Sequence, residues 1–305
     1  MAIKDVKVTI NGSTVTLTDN GDGTYSKTLT APPKTSYNIN SGHYYPVTIV
    51  ATNMAGTSTT VNDTHETLGE YCKLKVKEVT APTIAITSPT SGQYFGVATP
   101  EFKFTVVDEA DGSGVSITTL KIVLDGTTYT NTSSGVTVTS ITNGYSVVFK
   151  PSNALTDGTH KFKVSVSDND GNTATSSEVS FITDTIAPTL NVTNPATNGT
   201  YTADSTLTVT GTASDSTSGT PTVTIKVNNG SSQSVTVSNG AFSKAVTLAN
   251  GTNTIVVTAT DKVGKTTTIT RTIILDTSSP VVASVNITPN PVNVGGSYKV
   301  TVTVS

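Results

Sequence analysis

The sequence predicts an all-β chain made of tandem two-sheet sandwiches. Three observations carry that expectation. Short stretches alternate apolar and polar residues with the two-residue period of a strand. Gly, Pro, Asn and Asp punctuate them as turns. The same set of turns and joints also returns about every hundred residues, the mark of a repeated module.

The clearest repeated element is a strand followed by an acidic or amide turn. It reads VTIVATNMAG at 47–56, FKVSVSDNDG at 162–171 and IVVTATDKVG at 255–264. Counting back from each turn, the inward positions are Val47, Ile49 and Ala51, then Phe162, Val164 and Val166, then Ile255, Val257 and Ala259. The intervening positions are mostly Thr, Ser and Lys, which suits a sheet with one face in a core and one in water. A second landmark lies upstream, at SGHYYP, DGTHKF and NGTNTI, starting at residues 41, 157 and 250. The joints repeat as well: VTAPTIAITSP at 79–89 matches TIAPTLNVTNP at 185–195, and TSSPVVASVNITP begins another copy at 277. The expected domains are therefore 1–80, 81–186 and 187–278. Residues 279–305 offer only two strands, too few to bury a core, and are expected to be an extension or the start of a fourth domain.

The turns D-x-x-G-[NK]-T, each leading into a strand, then D-T-x-x-P and a new repeat, resemble those of tandem bacterial immunoglobulin-like domains. The resemblance covers nearly the whole chain. It implies the fold and little about function, because such modules serve as spacers, adhesins and phage decorations alike. The first unit departs most, with VNDTHETLGEYCK inserted after its turn. Its opening, MAIKDVKVTINGSTVTLTDNGDGTYSKTLTAP, is similar to immunoglobulin-like proteins encoded with phage tails and tailocins of Gram-positive hosts. A strand of about eight residues spans about 27 Å, so three such domains in a row predict a rod of about 100 Å.

Composition narrows the chemistry. Charged residues are 13% of the 305 and the net charge is −3, which gives no reason to expect nucleic acid or an anionic membrane as a partner. No stretch is long and apolar enough to insert in a bilayer. The opening residues lack the basic and apolar regions of a signal peptide, so synthesis without export is the expectation. One cysteine, Cys72, rules out an internal disulfide framework and is expected to sit covered in a strand. No H-E-x-x-H, G-x-S-x-G or phosphate-loop motif occurs, and the reading is of a protein that is not an enzyme. His65, between Asp63 and Glu66, is expected in a solvated loop rather than as a metal ligand. Without tryptophan, a sugar-stacking platform built on Tyr44, Tyr45, Tyr94, Phe95 or Tyr145 is weak, and packing explains these residues as well.

The acidic turns remain. Asp168, Asp170 and Asn172 stand two apart, as in a calcium loop, but the sixth and twelfth positions of that loop are Thr173 and Val179 rather than Gly and Glu. This is no EF-hand. Topology offers another role. In an immunoglobulin-like sandwich the second-to-third and sixth-to-seventh strand loops share one pole, where the chain also enters. Asp108, Glu109, Asp111, Asp168 and Asp170 should therefore meet near Glu78. The same reasoning groups Asp184, Asp215 and Asp261 at the next joint, with fewer carboxylates. Calcium is the expected ion if these turns bind one; plain Asx turns are the other reading.

The function expected from all this is a non-catalytic structural or binding component of a phage or tailocin particle. It would be mounted on the tail or baseplate of the virion and reach toward the host surface. The expected partners are other virion or tail proteins and a host-surface glycan or protein. The alternative is a stalk segment of a secreted adhesin at the bacterial cell surface.

Overall fold

A computed structural model describes residues 2–305. The chain is all-β and forms two compact units, Met1–Asp184 and Thr185–Ser305.

The first unit has an irregular N-terminal region and a full sandwich. In the N-terminal region one sheet runs in the order Ser13–Thr16, Ile3–Ile10, Tyr45–Asn53, Ser58–Val61, with Lys73–Leu74 also paired to Tyr45–Asn53. No second sheet of comparable size faces it among the described residues; a two-residue hairpin, Thr18–Asp19 with Tyr25–Ser26, and long irregular segments lie beside it. Val47, Ile49 and Ala51 alternate as expected but are only half-buried. Cys72 is covered, yet it ends a single 3-10 turn, Gly69–Cys72, rather than lying in a strand. Residues 69–72 close the inserted segment, where the strand alternation is lost.

The sandwich that follows has two sheets. One runs Val136–Ile141, Gly144–Phe149, Phe102–Val107, Thr83–Ser88. The other runs Thr127–Tyr129, Val115–Leu124, Gly158–Asp168, Val179–Thr183, Tyr94–Phe95. The alternating residues of both meet inside: Phe102, Phe104, Phe149, Phe162, Phe181 and Ile122 are all at most 1% exposed. Here Phe162, Val164 and Val166 are buried as the alternation requires. The chain enters through Thr83–Ser88 in one sheet, turns at Pro89, and crosses to the other, where Tyr94–Phe95 pairs parallel to Val179–Thr183.

The second unit repeats this plan. Thr189–Asn194, Thr206–Ser214, Ala241–Thr247 and Val237–Ser238 make one sheet, and Thr200–Thr202, Thr266–Leu275, Gly251–Thr260, Thr222–Val227 and Gln233–Val235 the other. Thr200–Thr202 again pairs parallel to the closing strand, and Ile255, Val257 and Ala259 are buried. The chain then forms a two-stranded ribbon, Val282–Thr288 with Lys299–Val304. Val285 and Ile287 oppose Val302 and Val300, and all four are exposed.

Candidate metal centre

Two strands of the first unit's sandwich lead to aspartates at the same pole. Phe102–Val107 stops before Asp108, whose amide donates to the Asn143 carbonyl at 2.9 Å. Gly158–Asp168 stops at Asp168, opposite Val115. The turn that follows is an Asx turn: Asp168 Oδ1 accepts from the Gly171 and Asn172 amides at 2.6 and 2.8 Å, and Oδ2 from Asn172 Nδ2 at 2.8 Å. Gly171 takes a φ of 99°, which a side chain would disfavour.

Glu78 approaches from the entering chain. Glu78, Asp108 and Asp168 each place one carboxylate oxygen within 4.8 Å of the others. Asp108 is 4% exposed and Asp168 2%. Asp108 Oδ2 accepts from the Gly114 amide at 2.7 Å, and Glu78 Oε1 from the Ser113 amide at 2.5 Å. The other oxygens of these two groups, Asp108 Oδ1 and Glu78 Oε2, are buried with no hydrogen-bond partner. No lysine or arginine forms an ion pair with the three among the described residues. At such separations each ionised pair repels by on the order of 3 kcal/mol for an effective dielectric near 20. Separately, burial pushes the Glu78 carboxyl up; hydrogen bonding from Ser113 pulls it down, and the neighbouring Glu109 adds to the rise.

Gly112 leaves room for this cluster. A Cβ built there would stand 2.6 Å from Asp108 Oδ2 and 2.8 Å from Glu78 Oε2. Asp170 and Asp111 have other tasks, while Glu109 stands beside Glu78. Asp170 Oδ2 accepts from the Glu78 amide at 3.1 Å and from the Thr35 hydroxyl, while its carbonyl accepts from Lys77 Nζ at 3.1 Å. Asp111 pairs with Lys34 at 2.5 Å. Asn38 Nδ2 donates to the Gly112 carbonyl at 2.8 Å. These contacts tie the N-terminal region to the sandwich, and sequence reasoning missed their partners Thr35, Lys34 and Asn38. No local pattern marks those three; only the fold brings them to the pole.

At the later joint each acid is placed as follows. Asp184 is buried and ends the first unit, its amide donating to the Phe95 carbonyl at 2.9 Å. In the second unit Asp215 Oδ1 accepts from the Thr217 and Ser218 amides at 2.8 and 2.7 Å. Burial raises this carboxyl, but those amides outweigh it and hold it below its ordinary value. Asp261 Oδ1 accepts from the Val263 and Lys265 amides at 2.9 and 2.8 Å.

One further cluster has the order of a hydrolase triad. His160 Nδ1 lies 2.6 Å from Asp125 Oδ2, and Nε2 lies 2.9 Å from Thr183 Oγ1. Thr183 is fully buried, however, and its hydroxyl donates to the Thr156 carbonyl. Nε2 faces that same carbonyl at 2.8 Å. A carbonyl only accepts, so Nε2 donates there and is not free to take a proton from Thr183. The cluster ties the sandwich edge together. The aromatic residues also pack: Phe95 meets Phe102 and Phe181 edge to face, and Tyr45 is buried.

A bacterial immunoglobulin-like domain model matches residues 87–185, and a glucodextranase domain B model matches residues 188–277. The chain carries tandem immunoglobulin-like domains. Similar solved structures include the fibronectin(III)-like modules of Clostridium thermocellum CbhA, at 19% identity and a TM-score of 0.38, covering 64% of this chain and 94% of that one. A bacterial ice-binding adhesin, described for its host cell surface retention, is 22% identical with a TM-score of 0.33, over 89% of this chain and 86% of that one. Dimeric latent PorU from Porphyromonas gingivalis is 16% identical with a TM-score of 0.30, over 90% of this chain and 30% of that one. At these identities the likeness is one of fold alone. No curated protein matches the chain in sequence. No helix among the described residues is long and apolar enough to cross a membrane.

Proposed function

We propose that the chain is a non-catalytic spacer and presenting element of a phage or tailocin particle, mounted on the tail or baseplate and directed toward the host surface. The observation that carries the spacer reading is how the first unit is joined. Asp170, Asp111, Gly112 and Ser113 of the sandwich loops all bond to residues 34–78 of the N-terminal region. That fixes one module on another, and such fastening holds a distance and a direction. The resemblance of the opening residues to tail-encoded immunoglobulin-like proteins supports the particle assignment. The exposed apolar face of the 282–304 ribbon supports a docking role for that end, because a ribbon of two strands is marginal alone and gains from pairing with further strands.

The test is fractionation of particles carrying the full chain or either of two truncations. The full chain is expected to co-purify with particles. Deleting residues 279–305 is expected to leave both sandwiches folded and to weaken incorporation. If the truncated chain incorporates normally while loss of 1–80 abolishes incorporation, the docking role passes to the N-terminal region. If the full chain fractionates with the cell envelope instead, the particle assignment is wrong and the adhesin-stalk reading replaces it.

A further inference from the structure

We propose that Glu78, Asp108 and Asp168 bind one calcium ion, and that the ion locks the N-terminal region onto the sandwich of the first unit. The inference goes beyond the spacer reading and stands whether or not the chain belongs to a particle. Three features carry it. The first is spacing. Oxygens sharing one calcium lie at most about 5 Å apart, given bonds of about 2.3–2.6 Å, and the three carboxylates fall inside that limit at 4.8 Å. The second is the pair of buried oxygens, Asp108 Oδ1 and Glu78 Oε2, that no donor reaches. A buried anion left this way is costly, and Asp108 is 96% buried by exposure of 4%. Plain Asx turns need no such oxygens: Asp168 satisfies its turn with both of its own. The third is Gly112, where any side chain would enter the space beside both groups.

The donor set chooses the ion. All three ligands are hard carboxylate oxygens, with neither imidazole nor thiolate beside them, which suits calcium or magnesium over zinc or copper. Magnesium demands a tight octahedron and keeps much of its water, whereas calcium accepts irregular sets of six to eight oxygens. Two buried aspartates and a half-buried glutamate from three separate segments are such an irregular set. Glu78 comes from the entering chain and the two aspartates from the sandwich, so an ion shared by all three crosslinks the two parts.

The test is isothermal titration with calcium and scanning calorimetry of the full chain, in chelator, calcium or magnesium. Calcium a hundredfold above its Kd is expected to raise the first unit's transition by about 5–10 °C, with magnesium well behind. Asp108→Asn and Glu78→Gln are each expected to lose one bound ion per chain and that rise. In chelator they should melt at or above the wild-type temperature, because each removes a repelling charge. Asp111→Asn, outside the cluster, should keep the full response. The proposal fails if calcium gives neither heat nor a shift, or if the shift survives both cluster variants. It also fails if Asp108→Asn melts lower by the same amount with and without calcium, since that marks a purely structural hydrogen bond.

Discussion

The two parts of the first unit use the same strand alternation and arrive at different cores. In the sandwich, thirteen buried apolar residues meet between two sheets. Among the described residues of the N-terminal region only Val6, Val8, Tyr45 and Cys72 are buried and apolar. Alternation decides which side of a strand is apolar; a core needs a second surface to close on it. The sandwich supplies its own. Among the described residues the N-terminal region has one larger sheet, a two-residue hairpin and irregular chain, and it compensates with polar contacts to its neighbour. Its order is therefore borrowed, whereas that of the sandwich is intrinsic.

The sharpest way to break this asymmetry is at Phe102. Its ring is fully buried and touches Phe95, Phe149, Phe162 and Phe181. Phe102→Ala should cost about 3–5 kcal/mol, and hydrogen exchange should show protection lost in the sandwich and in the N-terminal region together. Val8→Ala, by contrast, should cost about 1–2 kcal/mol and leave the sandwich's protection unchanged. If Phe102→Ala spares residues 3–74, the order there is not borrowed.

A smaller effect is expected at the fastening. Asp170→Ala removes the acceptor of the Glu78 amide and one of the two acceptors of the Thr35 hydroxyl, which keeps the Val76 carbonyl; leaving the part-buried amide unmet should cost about 1–3 kcal/mol. Proteolysis should then begin in the segment around residues 33–40 while the sandwich core stays protected. Smallest of all is the Lys34–Asp111 pair. Its side chains are 57% and 64% exposed, so solvent screens the pair, and Lys34→Ala should leave stability almost unchanged, with any loss most visible at low salt.

Most of the two sandwiches was readable from the sequence. Phe162, Val164, Val166 and their counterparts Ile255, Val257 and Ala259 sit where a period of two puts them. Val47, Ile49 and Ala51 show the same period, yet nothing in it reveals that a facing sheet is missing. At the acidic pole, topology alone points Glu78, Asp108 and Asp168 toward one another. It does not separate them from Asp111 and Asp170, whose partners Lys34 and Thr35 lie 77 and 135 residues away. Such pairings follow from how one loop lands on another, and no local pattern encodes them.

The strand that changes sheets near each entrance has a mechanical consequence. Tyr94–Phe95 and Val179–Thr183 run parallel, so pulling the ends of that sandwich apart slides one strand along the other. Three backbone bonds, from Gly92 to Ser180, Ile182 to Gln93 and Asp184 to Phe95, are loaded together rather than one after another. Thr200–Thr202 meets the closing strand of the second unit in the same sense. Each sandwich thus carries a shear clamp between the strand that changes sheets and the closing strand. Tension that reaches the clamp loads it as a whole, whereas the entering strand ahead of it, paired antiparallel, can peel one bond at a time.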